Sequence, residues 1–169
     1  IAAIQHAKAR GARVIAVASS DDKRAIATQA GADDVIAPDG FKDAVMELTD
    51  GRGVDIVVDP VGGDRFTDSL RSLAVEGRLL VIGFTGGAIP EVKVNRLLLN
   101  NVDVVGVGWG AFWMPRPETV PAQWKAIEPL VASGQLSPVL GEVRPLERAG
   151  EAIAEMEERR ATGKLVLTL

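Results

Sequence analysis

The chain has 169 residues, a formal net charge of −4, 47% hydrophobic residues and no cysteine. That length predicts one domain, or one domain and a piece of another, with enough apolar residues to bury a core. The acidic balance argues against nucleic acid as a main partner, and no apolar run approaches the length of a membrane span, so no membrane partner is expected. Without cysteine there are no disulfides, no thiol nucleophile and no Cys-ligated zinc in these residues, which fits a cytoplasmic protein. His6 is the only histidine, so no His cluster can hold a metal.

Ile1 to Arg10 carries apolar residues at 1, 4 and 7 with no N-cap ahead of it, which reads as a helix already under way, closed by Gly11. The chain does not begin with Met and shows no signal peptide, so it is expected to be a fragment that starts inside its first helix. Val14-Ile-Ala-Val-Ala marks a strand over 13–18. Ser20 or Asp21 can cap a helix over 22–30 that Gly31 ends. A short strand over 34–37 leads to a helix over 41–49 with Phe41, Val45 and Leu48 on one face. After the turn Asp50-Gly-Arg-Gly53, a strand is expected over 54–59, a helix over 64–74 with Phe66, Leu70 and Leu73 inward, and a strand over 78–83. The Gly-rich loop Thr85 to Pro90, a short helix over 94–100 and a strand over 102–108 follow.

This alternation at short spacing is the pattern of βαβ units, giving an α/β fold with a doubly wound parallel sheet. The strands are apolar on both faces, as expected of strands covered on both sides by helices. The carboxyl ends of such strands open onto a crevice where ligands bind. After Gly110 the rhythm breaks at Pro115, Pro117 and Pro121. A helix over about 119–133 carries Trp124, Ile127 and Leu130. A strand over 139–143, a charged helix over 146–160 and a final strand over 164–169 form a tail expected to favour antiparallel pairing and to belong partly to another domain.

Several segments, in order, resemble the medium-chain dehydrogenase/reductase superfamily, most closely its quinone oxidoreductase (zeta-crystallin-like) branch. They are Ile4 to Ala16, Ala30-Gly-Ala-Asp-Asp-Val-Ile36, Gly53 to Gly63, Gly77-Arg-Leu-Leu-Val-Ile-Gly-Phe84 and Ala161-Thr-Gly-Lys-Leu-Val-Leu167. The resemblance implies that residues 1–134 form a Rossmann domain lacking its first strand and Gly-rich loop. It implies that 135–169 return to an absent GroES-like substrate domain. It further implies an NADPH-dependent, zinc-independent enzyme that transfers hydride to a quinone or an α,β-unsaturated carbonyl, and a homodimer joined through the edge strand 102–108. The isolated fragment is expected to bind cofactor poorly and to be inactive. A crystallin-like NADPH-binding protein without turnover, or an enoyl reductase module of a larger synthase, are the alternatives.

NAD-selective sites of this fold place an acidic side chain at the end of the second strand. Here Ala18-Ser19-Ser20 stands in that position. Ser19 and Ser20 leave room for a 2′-phosphate, and Lys23 and Arg24 can add charge-assisted bonds, while Asp21 and Asp22 oppose an anion. Equally, Ser20 can be a plain N-cap and Lys23 and Arg24 a solvated face. In the family a Ser/Thr and a Lys in these places hold the phosphate, but Ala37-Pro38 stands where members often have Asn-Tyr. The resemblance places Asp59, Val61 and Gly62 near the cofactor, and Gly83, Phe84 and Thr85 near the nicotinamide. It places Val107, Gly108 and Trp109 in the nicotinamide pocket at the end of a strand, and Lys164 beside the cofactor. The glycines of the Asp59 to Gly63 turn also have a purely conformational reading, and Lys164 that of a solvent-facing lysine. Trp109, Phe112, Trp113 and Met114 read as core or interface packing in preference to catalysis. Asp33 with Asp34, and Asp55 with Asp59, read as turn and strand-end residues. The charged helix face Glu151, Glu155 and Glu157 to Arg160 reads as solvated, with i,i+4 pairs. His6 has no assigned role, and no residue is assigned to catalysis.

Overall fold

The computed structural model describes residues 1–158 and 160–169. In chain order the elements are α1 (Ala2–Ala9), β1 (Ile15–Val17), α2 (Asp21–Gln29), β2 (Asp34–Ile36), α3 (Phe41–Leu48), β3 (Val54–Asp59), α4 (Phe66–Arg71), β4 (Leu73–Val81), α5 (Asn95–Asn100), β5 (Asp103–Gly106), α6 (Trp109–Trp113), α7 (Thr119–Ala132), β6 (Leu140–Pro145), α8 (Ala149–Glu157) and β7 (Lys164–Thr168). The chain divides into two compact units, one of Ile1–Pro38 with Gln123–Leu169 and one of Asp39–Ala122.

In the first unit β1 and β2 pair in parallel, Ile15 against Asp34 and Val17 against Ile36. Its core is built from Ala16, Ala27 and Ala32, with Ile4, Val14 and Val35 packed around them. Small side chains let helix and strand approach closely, and polar ties hold the rim. Lys8 Nζ donates to the Asp33 carboxylate at 2.8 Å, and the Val14 N–H donates to it at 2.7 Å. Arg13 pairs with Asp34 at 2.8 Å. Gly11 and Gly31 close α1 and α2 with φ of +78° and +101°, conformations that favour glycine. In the same unit β6 and β7 form a second sheet, and they run parallel, contrary to the antiparallel expectation. The helical crossover α8 between them lets two parallel strands meet.

In the second unit the order is β3-β4-β5, all parallel. Phe66, Leu70, Leu73, Leu79 and Val102 form its core, and Leu79 is wholly enclosed. The helix expected over 64–74 stops at Arg71, because the Ser72 carbonyl accepts from the Val54 N–H at 2.9 Å and Leu73 pairs with Val54. Leu73 is thus buried from the strand and not from the helix. β4 therefore starts five residues earlier than expected. It is interrupted at Glu76, whose φ is +64°, before pairing resumes at Arg78 opposite Ile56. Gly77 follows, where a Cβ would lie 2.8 Å from the Ala74 carbonyl oxygen. The strand expected over 102–108 is shorter: Val107 and Gly108 lie outside it, and Trp109 opens α6 instead of ending a strand. Coverage of both strand faces is also incomplete, since Ile56 and Val58, on one side of β3, are 55% and 44% exposed.

The charged tail helix differs from expectation too. A 3-10 turn over Leu146–Arg148 precedes α8, which ends at Glu157, and Arg159 lies outside the described residues. Glu155 is not solvated: its side chain is 14% exposed and pairs with the buried Arg144 on β6. Arg144 also donates to Glu142 at 2.5 Å, and both glutamates hold its guanidinium charged. Its Nε is the buried side-chain nitrogen left without a partner among the described residues.

Candidate functional site

Each unit gathers expected residues at the carboxyl ends of its strands. In the first unit β1 runs into Ala18, whose N–H still donates to the Ile36 carbonyl at 3.1 Å. Ser20, extended at φ −133° and ψ 160°, is the N-cap of α2, and its Oγ accepts from the Lys23 N–H at 3.4 Å. The cap leaves the hydroxyl proton to serve as a donor. Arg24 folds back across the strand end: its guanidinium donates to the Ala18 carbonyl at 3.2 Å and pairs with Asp21. Ser19 and Ser20 are exposed, and Lys23 and Arg24 half-buried. Two hydroxyls and two cations thus stand beside the positive end of a nine-residue helix, the chemistry that suits a phosphate monoester. Asp21 already occupies part of the Arg24 guanidinium, so an anion arriving there must compete with it.

Lys164 begins β7, exposed, behind Gly163, where a Cβ would lie 2.7 Å from the Val139 carbonyl oxygen. The Lys164 N–H donates to that same carbonyl at 2.8 Å.

In the second unit Asp59, at the end of β3, is buried, and one carboxylate oxygen accepts the N–H groups of Val61 at 2.8 Å and Gly62 at 2.9 Å. The turn so formed is joined to the loop after β4. The Pro60 carbonyl accepts from the Thr85 N–H and Thr85 hydroxyl, both at 3.1 Å, and the Val61 carbonyl from the Gly86 N–H at 2.9 Å. Gly62, at φ +65° and ψ −144°, packs against the Phe84 ring so closely that a Cβ would sit 2.9 Å from it. Gly83 is different: a Cβ there would meet nothing nearer than the Pro60 oxygen at 3.6 Å, which leaves an open approach to the backbone. Asp59, Val61, Gly62, Phe84 and Thr85 are therefore brought together, with Gly83 beside them. Val107 joins the next strand end through its N–H to the Val81 carbonyl, 2.9 Å. Gly108 is the N-cap of α6, and its carbonyl accepts from the Phe112 N–H at 3.0 Å.

Trp109 is 52% exposed and tilted against Trp113 with ring centroids 5.6 Å apart, while Arg116 lies over the Phe112 ring. Phe112 and Met114 are exposed as well, so this cluster is not core. Among the described residues no group of three or more His, Asp or Glu side chains could hold a metal, and no helix is long and apolar enough to cross a membrane. Sequence reasoning missed two things: the internal use of the Asp59 carboxylate, for which the Asp-Pro-Val-Gly spacing is a turn signal, and the Arg144–Glu155 pair, for which nothing local signals the partner.

The sequence pattern described as "Zinc-binding dehydrogenase" matches residues 1–132. The chain is 40% identical over 163 residues to the quinone oxidoreductase-like protein 2 of Bos taurus, covering 94% of this chain and 46% of the bovine one. Among solved structures, a quinone oxidoreductase of Pseudomonas syringae pv. tomato DC3000 superposes with a TM-score of 0.86 at 31% identity, covering 99% of this chain and 52% of that one. A mycobacterial protein solved in complex with NADPH gives 0.86 at 31% identity, covering 98% and 53%. The chain thus spans about half the length of the relatives it matches.

Proposed function

Since the chain belongs to the zinc-binding dehydrogenase family, in the quinone oxidoreductase branch of the medium-chain dehydrogenase/reductases, we propose that the full-length protein is an NADPH-dependent reductase of quinones or α,β-unsaturated carbonyls. The observation that carries the choice of NADPH is the end of β1, where Ser20, Lys23 and Arg24 stand in place of an acid that would bond a ribose 2′-hydroxyl. The complex of a structural relative with NADPH supports it. In this reading Ser19, Ser20, Lys23 and Arg24 hold the 2′-phosphate. Val61, Gly62, Gly83, Phe84, Thr85, Val107, Gly108 and Trp109 line the nicotinamide end, and Lys164 adds charge beside the cofactor.

When bound, the nicotinamide supplies the hydride. The chain's part is to orient it and keep water away, for which Val61 and Phe84 offer apolar side chains at a strand end. A quinone or activated alkene accepts hydride without a dedicated acid from these residues, which agrees with the lack of any assigned catalytic side chain. We extend the proposal to a zinc-independent enzyme, to a homodimer joined through β5, whose Val104 and Val105 are exposed at a sheet edge, and to 135–169 as the return to a substrate domain. The test is oxidation of NADPH and NADH by the full-length protein with a quinone and with an enone. Turnover with NADPH is expected with at least one acceptor. Tight NADPH binding without turnover on either acceptor would instead favour a binding protein, and a strong preference for NADH would refute the cofactor assignment.

A further inference from the structure

We infer that Asp59 is a positioning residue, which does not touch the cofactor but locks the two loops that line its nicotinamide end; this rests on the cofactor reading above. Asp59 is buried at the end of β3, and one of its carboxylate oxygens takes both the Val61 and the Gly62 N–H. Those bonds fix the direction of the Pro60 and Val61 carbonyls, which accept from Thr85 and Gly86 on the loop after β4. The seam is closed on both sides by glycine. A Cβ on Gly62 would strike the Phe84 ring at 2.9 Å, and one on Gly86 would lie 2.9 Å from the Val61 carbonyl oxygen.

The consequence for ligand binding is specific. The N–H groups of Val61 and Gly62 are spent inside the turn, and the carbonyls of Pro60 and Val61 accept from the loop after β4. The turn therefore offers a ligand no amide donors at 61 and 62, only shape and the exposed Val61 and Phe84 side chains. Removing the acceptor releases two donors at once, the Gly62 N–H buried and the Val61 N–H partly so, and frees the far loop, although Thr85 and Gly86 lie about 25 residues away in sequence.

Asp59→Ala and Asp59→Asn in the full-length protein test this. Asparagine keeps one carboxamide oxygen, so it retains the acceptor that both N–H groups use. In Asp59→Ala, amide hydrogen exchange at Thr85 and Gly86 is expected to rise about tenfold, and KM for NADPH to rise by a similar factor. Binding of 2′,5′-ADP, which probes only the adenosine end, stays within about twofold. Asp59→Asn restores both exchange and KM. Unchanged exchange at Thr85 and Gly86 in folded Asp59→Ala overturns the inference, as does an Asp59→Asn protein no better than Asp59→Ala. If the wild-type protein binds neither NADPH nor 2′,5′-ADP, the cofactor reading fails, and the exchange result still decides whether the seam depends on Asp59.

Discussion

The end of β1 and the ends of β3 and β4 solve different problems with different groups. At β1 the polar equipment is side chains, Ser20, Lys23 and Arg24, only partly used by the cap and by the pairing with Asp21. At β3 and β4 the polar groups are mostly backbone and are spent on each other, through Asp59 and the seam to Thr85 and Gly86. In the proposed reading the first region receives charge and the second holds a shape. The cores beneath them differ in the same sense: alanines under β1, large residues around Leu79 under β4.

That contrast can be broken by mutation. Leu79→Ala, at a wholly enclosed position, is expected to cost about 3 kcal/mol in urea unfolding. Ala16→Gly in the alanine core is expected to cost only about 1 kcal/mol; equal losses would erase the distinction between the two cores. Gly62→Ala should cost about 1–3 kcal/mol, because φ +65° with ψ −144° is nearly closed to other residues and the new Cβ meets Phe84. Gly83→Ala sharpens the point: with 3.6 Å to its nearest contact it should leave the melting temperature almost unchanged and still raise KM for NADPH, by obstructing approach to the backbone.

Ser20→Ala should cost about 1 kcal/mol by loss of the cap and also reduce the NADPH preference. A loss of stability with the preference intact would assign Ser20 to the cap alone. The smallest effect is one of pH. Hydrogen bonds from Lys8 and from the Val14 N–H hold the Asp33 carboxyl below its ordinary value. Its contribution is therefore present above the unfolded value of about 4 and lost as pH falls through the lower folded value. Melting temperature against pH should fall less steeply in that acid range for Asp33→Asn than for the wild type.

Most of the element order was legible because apolar runs and glycine stops are local signals. Leu73 was misread because its spacing from Phe66 and Leu70 suits a helix face, whereas its pairing with Val54 lies beyond any window on the sequence. The parallel pairing of β6 with β7 was hidden for the same reason. The charged groups at β1 could be read from residue types and position. The Asp59 seam could not, since it joins carbonyls of one turn to amides of a loop about 25 residues on, and backbone groups carry no residue signature. Glu155 reads as part of a solvated helix face until the fold sets it against the buried Arg144.

The central claim is that the end of β1 receives a phosphate. Its most direct test is calorimetric titration of the full-length protein with 2′,5′-ADP and with 5′-AMP, repeated on Lys23→Ala. The account predicts that 2′,5′-ADP binds at least about tenfold more tightly and that Lys23→Ala removes most of that difference. Equal affinities in the wild type, or a preference for 5′-AMP, would contradict it.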